Sequence, residues 1–142
     1  MSHSAALRDA LAGVPLFAAC SKRDLQIVAR HMQVVAIPAG TAFIREGETG
    51  DAFYVALEGT AGISRARRAV GEVQPGDHVG ELALLDPAPR AATVTATTAM
   101  VLGVLDARAF QAIVRDVPAL TSKLLRGLAR RLRTRDAELT LL

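Results

Sequence analysis

The chain has 142 residues, half of them apolar (51%) and 22% charged, which excludes wholesale disorder and suits one domain with one contiguous fold. Its formal charge of +3 is too weak to name a polyanionic partner, and the excess is local. Residues 1–114 carry 10 basic and 11 acidic side chains, whereas residues 115–142 carry 7 and 3.

The first 33 residues read as helices. Arg8 followed by the apolar stretch ending at Cys20 imitates a lipoprotein signal, but Asp9, Gly13, Pro15 and bulky Phe17 argue against that reading. A helix over Ala5–Leu11, a turn at Gly13–Pro15 and a second helix opened by Ser21 are expected instead. Ser21 and Asp24 form a capping box with Asp in place of Glu, and Leu25, Val28, Ala29 and Met32 recur at helical spacing. The single cysteine excludes an internal disulfide and fits a reducing cytoplasm. The three histidines are far apart, so no metal site is expected.

From Val34 to Leu105 strand-sized apolar runs alternate with glycines, which argues for a small, mainly β roll or barrel between the flanking helices. The longest charge-free run, Ala91–Leu105, is too short to cross a bilayer and rich in Thr and Val, so it reads as strands. Helix returns at 106–114, and Pro118 suits the first position of a last helix running toward Leu142. A wheel at ~100° per residue places Leu120, Leu124, Leu125, Leu128, Leu132 and Leu139 in one arc. Lys123, Arg126, Arg130 and Arg133 fall opposite, as a solvated face, whereas Arg131 and Arg135 fall inside the apolar arc. An inward arginine needs an anion, an aromatic plane or a route to water. These two either snorkel, with Glu138 as a pairing option, or close over a ligand.

The chemistry concentrates in residues 80–94. Gly80 opens a short helical run, Glu81–Leu85, whose first N–H groups would face an approaching anion. Pro87 and Pro89 end it, and Arg90 supplies a planar fork for two phosphate oxygens. Ala83, Ala91 and Ala92 leave room beside the backbone. A carboxylate and a guanidinium in one pocket suggest a ligand with both a phosphate and a sugar hydroxyl.

This stretch, G-E-L-A-L-L-x(4)-R-A-A-T-V, resembles the phosphate-binding cassette of the cyclic nucleotide-binding domain family. Gly47-Glu-Thr-Gly50-Asp51-x-x-Tyr54-x(4)-Gly59 resembles a second signature of that family. So do the N-terminal Pro-Leu-Phe from Pro15 and the closing Phe110, Pro118 and Ala129-Arg130-Arg131-Leu132. The likeness extends to effector domains of catabolite-activator-type regulators and to protein kinase A regulatory subunits.

The resemblance implies a single domain: helices over 1–33, a β-roll over 34–105 and closing helices over 106–142. It implies that Arg90 pairs the cyclic phosphate and that Glu81 accepts from the ribose 2′-OH. Gly80, Leu82, Ala83, Ala91 and Ala92 would give backbone donors and close walls, and Ile63 and Val70 would line base and ribose. Ala91 has no hydroxyl, which favours cAMP over cGMP as ligand. Arg131 and Arg135 would be the lid over the purine, in a last helix whose movement carries the signal. Val79 departs from the family's usual Phe, and Arg65, Arg67 and Arg68 read as a solvated hairpin tip.

Four functions compete on these residues. The first is a receptor module for a small cyclic nucleotide, with a second copy joined through the last helix as a partner option. The second is the effector domain of a transcription regulator whose DNA-binding part lies outside this chain. The third is a degenerate roll that serves as an interaction surface. The fourth, an enzyme, has the least support, because no nucleophile or base pairs with Glu81. Neither a cofactor, a membrane nor nucleic-acid binding by this chain alone is expected.

Overall fold

The structure is a computed structural model that describes residues 3–80, 88–123, 125–126 and 129–130. Helix α1 (His3–Ala12) leads through a 3₁₀ turn (Pro15–Phe17) to α2 (Lys22–His31). The capping box at Ser21 is complete: Ser21 Oγ accepts from the Asp24 N–H and Asp24 Oδ2 from the Ser21 N–H, both at 3.1 Å. Eight strands follow among the described residues: β1 (Gln33–Ile37), β2 (Ala42–Ile44), β3 (Phe53–Glu58), β4 (Ala61–Arg65), β5 (Arg68–Val73), β6 (His78–Val79), β7 (Thr93–Ala96) and β8 (Met100–Leu105). Helix α3 (Ala107–Asp116) is capped by Asp106, whose Oδ1 accepts from the Ala109 N–H. The chain is helical again at 118–123 and at the described positions up to 130.

The strands form two antiparallel four-stranded sheets, in the orders β1-β8-β3-β6 and β2-β7-β4-β5. One core lies where strands of the two sheets meet, with Ile44, Ala56, Ala61, Val73, Val94, Ala96, Met100 and Leu102. A second core joins the other face of the first sheet to the helices. There Phe53, Val55 and Leu105 meet Leu11, Phe17, Val28, Ile113, Val117 and Leu120. The first sheet is therefore covered on both faces, which explains why β8 reads as an almost unbroken apolar run, Met-Val-Leu-Gly-Val-Leu. Its Gly103 carries no side chain because Met32 Sδ, at the end of α2, occupies that space.

The segment with the look of an export signal is part of this second core: Leu7, Leu11, Val14, Leu16 and Phe17 are all buried. No helix among the described residues is long and apolar enough to cross a membrane.

Two expectations about the last helix need correction. Leu120 is buried, but Leu125, placed by the wheel in the same apolar arc, is 56% exposed. Lys123, assigned to the solvated face, is half-buried, and its Nζ donates to the Pro15 carbonyl. The reason is tertiary: the 3₁₀ turn lies against the face that a wheel drawn for an isolated helix leaves to water. Leu124, Leu128, Leu132 and Leu139 lie outside the described residues.

The β3–β4 turn sets a tight limit. Gly59 has φ +84°, and a Cβ there would collide with the Ala99 carbonyl oxygen and stand 2.9 Å from Met100 Cα. Backbone atoms cannot swing aside as a side-chain end can. Gly59→Ala is expected to lower stability by more than about 2 kcal/mol, roughly 5 °C or more in Tm. Thermal unfolding by circular dichroism measures this, and a wild-type Tm would show that the turn has another conformation open to it.

Candidate nucleotide-binding site

The site is built where two distant segments cross. The loop between β2 and β3 carries Gly47, Gly50 and Asp51; the segment before β7 carries Pro89 and Arg90. They meet as a short antiparallel ladder. The Arg90 N–H donates to the Glu48 carbonyl and the Gly47 N–H to the Arg90 carbonyl, both at 2.9 Å, beside a bridge between Thr49 and Pro89. The Arg90 main chain is thus fixed on both sides before its side chain makes any contact.

The half-buried guanidinium then turns back onto the same loop. Its Nη2 donates to the Ala52 carbonyl at 2.7 Å. Two glycines bracket it. A Cβ at Gly50 would lie 2.8 Å from Nη2 and 2.9 Å from Nε; one at Gly80 would lie 2.9 Å from Nη1 and from the Ala52 oxygen. A cavity of about 190 Å³ adjoins the group, lined by Arg90, Phe43, Arg45, Gly50, Asp51 and Tyr54 among others. Tyr54 stands edge-on to Phe43, with ring centroids 5.2 Å apart. Burial pushes the Tyr54 hydroxyl above its usual pKa, the Arg90 charge draws it down, and Asp51 pushes it up again. The three side chains therefore share one electrostatic environment.

A second brace comes from the β4–β5 hairpin. Its two turn residues, Ala66 and Arg67, have φ of +51° and +67° without being glycine. The Glu46 carboxylate holds the turn, with Oε1 accepting from the Ala66 N–H at 3.0 Å, while the Glu46 N–H donates to Thr93 Oγ1. Arg65 Nε donates to the Ala91 carbonyl at 3.2 Å. The reading of this tip as merely solvated is corrected for Arg65: its side chain reaches the residue after Arg90.

Of the residues nominated from the sequence, the structure brings Gly80, Arg90, Ala91 and Ala92 to one corner of the roll. Ile63 is half-buried and packs on the inter-sheet core, opposite Val94 on one side and Gly71 on the other. Val70 sits at a bulge, where Ile63 pairs Gly71 and Ser64 pairs Ala69, and is 56% exposed. Val79 pairs Tyr54 and packs on the inter-sheet core. Glu81, Leu82, Ala83, Arg131 and Arg135 lie outside the described residues. Gly50, Ala52, Tyr54, Glu46 and Arg65 were not nominated. Gly50 and Tyr54 belong to a motif visible in the sequence, but only their position beside Arg90 gives them a task.

A larger groove of about 1010 Å³ lies elsewhere, lined by Arg23, Ile27, Arg30, His31, Arg115 and Pro118 among others. Arg30 and Arg115 are in the last turns of α2 and α3, where a cation offsets the exposed carbonyls.

Comparison with known proteins agrees with this geometry. Residues 34–116 match the family model of the cyclic nucleotide-binding domain. The cAMP-dependent protein kinase regulatory subunit of Eremothecium gossypii is 38% identical over 112 residues, 77% of this chain and 24% of that protein. The CRP-like cAMP-activated global transcriptional regulator of Mycobacterium tuberculosis is 32% identical over 130 residues, 88% of this chain and 58% of that protein. The chain thus spans well under two thirds of either relative. Among solved structures, the Thermus thermophilus catabolite activator protein superposes with a TM-score of 0.82 at 30% identity, over 89% of this chain and 62% of that one. The N-terminal domain of a Streptomyces coelicolor transcriptional regulator does so with 0.76 at 36%, over 91% and 94%. With both motifs meeting at Arg90 and the model match spanning more than half its length, the chain belongs to the cyclic nucleotide-binding domain family.

Proposed function

We propose that the chain is a receptor module that binds cAMP, with cGMP the weaker ligand, and signals by moving its last helix. The observation that carries this reading is the placement of Arg90. Its guanidinium is half-buried in a glycine-walled slot and held by the same loop that fixes its backbone. A cation held at that depth suits a compact anion such as a cyclic phosphodiester. Glu81 is assigned to the ribose 2′-OH, Gly80, Leu82, Ala83, Ala91 and Ala92 to the walls and donors, and Ile63 and Val70 to the base and ribose. The half-buried Ile63 and exposed Val70 have apolar surface that a ligand could cover. The module binds its ligand and leaves it intact.

Signalling needs an element with two positions that the ligand biases by differential affinity. The last helix suits this role: Lys123 ties it to the 3₁₀ turn at Pro15, and Leu125 has apolar surface free for a second copy. Arg131 and Arg135 are assigned as the lid over the base. A second reading, the effector domain of a transcription regulator, is favoured by one observation. The Mycobacterium tuberculosis transcriptional regulator aligns over 88% of this chain, the Eremothecium gossypii kinase regulatory subunit over 77%.

Cyclic AMP at about a hundred times its Kd is expected to add about 2.7 kcal/mol of stability and to raise Tm by roughly 5 °C or more. Titration calorimetry with cAMP and cGMP in parallel is the direct check; no heat and no thermal shift at millimolar concentration would refute binding. Arg90→Ala should weaken cAMP binding by at least about 2 kcal/mol, roughly thirty-fold, because it leaves the phosphate charge without its partner. Normal binding by that variant would move the phosphate onto backbone donors alone. Joint replacement of Arg131 and Arg135 by alanine should speed cAMP dissociation, read by stopped-flow displacement, if they cover the base. An unchanged off-rate would leave them as snorkelling side chains.

A further inference from the structure

The two glycines of the loop between β2 and β3 are there for different reasons. Gly47 has φ +85°, and a Cβ on it would meet nothing within 4 Å. It serves the backbone. Gly50 is the reverse case. Its φ lies outside the left-handed region, so its backbone would accept alanine, yet the space beside it is taken by Arg90. A Cβ there would stand 2.8 Å from Nη2, 2.9 Å from Nε and 3.2 Å from Cζ, whereas one at Gly80 would crowd Nη1. The atoms in the way are the end of a flexible side chain. They can yield by roughly half an ångström or more at little cost to the fold, toward ordinary contact distances. A two-pronged hydrogen-bonding group moved that far no longer presents both N–H directions to its acceptors.

We propose that Gly50 is a positioning residue of the nucleotide site: by lacking a side chain it sets where the Arg90 guanidinium lies, and through it the affinity for the cyclic phosphate. The proposal rests on the receptor reading above for its ligand, but the positioning of Arg90 by Gly50 is testable without any ligand. Tyr54 reports it. It is the chain's one tyrosine, there is no tryptophan, and the Arg90 charge lowers its pKa against the effect of burial. If Gly50→Ala pushes the guanidinium out of its slot, that lowering weakens and the tyrosinate absorbance midpoint rises.

The experiment combines three readouts on the purified chain. Gly50→Ala is expected to keep Tm within about 2 °C of wild type, to weaken cAMP binding about tenfold by calorimetry, and to raise the Tyr54 titration midpoint. In an Arg90→Lys background, which has no guanidinium to displace, adding Gly50→Ala should change affinity by less than about twofold. Wild-type affinity in Gly50→Ala, an equal loss in both backgrounds, or a Tyr54 midpoint that stays or falls would each overturn the proposal. If Gly50→Ala lowers Tm, the double variant decides. Recovery with lysine at 90 assigns the clash to the guanidinium, and no recovery overturns it. If the wild-type chain binds neither nucleotide, the receptor reading fails alone, and the Tyr54 midpoint still judges the role of Gly50.

Discussion

Arg90 is the point on which the site depends, and the constraint acts in two directions. Its backbone N–H and carbonyl are both bonded to the Gly47–Glu48 stretch, and its Nη2 to Ala52 only a few residues on. One loop therefore grips main chain and side chain together. A guanidinium on a surface helix loses several rotatable bonds' worth of freedom on meeting an anion. Here much of that ordering is done by folding, because the backbone is already clamped and the slot is already walled.

The rest of the fold can be understood as the means of holding that clamp. β2 and β3 flank the loop, and β7 begins at Thr93, shortly after Arg90. β2 pairs with β7 in the second sheet, while β3 lies in the first sheet between β8 and β6. The clamp therefore bridges two layers whose shared core sets their spacing. The β4–β5 hairpin adds a strut from outside: Glu46 secures the positive-φ turn at Ala66, and Arg65 reaches the Ala91 carbonyl. The first sheet is also packed on the helices: Phe53, the first residue of the strand that ends the loop, shares a buried core with Val117 and Leu120.

Much of this is legible along the chain. Ser21 and Asp24 announce the start of α2 because a capping box is local, using atoms three residues apart. The glycine-punctuated strands and the helix opened by Asp106 are legible for the same reason. Leu125 and Lys123 are not, because a helical wheel supplies azimuth but not what lies at that azimuth. The 3₁₀ turn that accepts the Lys123 bond is more than a hundred residues away in sequence. Arg65 is misread on similar grounds. A charged residue at the strand end beside a two-residue turn is normally solvated, and its reach to Ala91 depends on how far the hairpin leans over the cassette segment.

By itself the sequence determined the class of fold, the two motifs and the identity of the cationic residue. Those are properties of residue type and short spacing, which propensity, capping and glycine punctuation express directly. Only the tertiary structure decided that the two motifs are one site. Gly50 and Arg90 are forty residues apart in the chain, and whether a missing Cβ means a turn or a slot depends on what folding brings against it. At Gly47 folding brings nothing within 4 Å, and at Gly50 it brings a guanidinium.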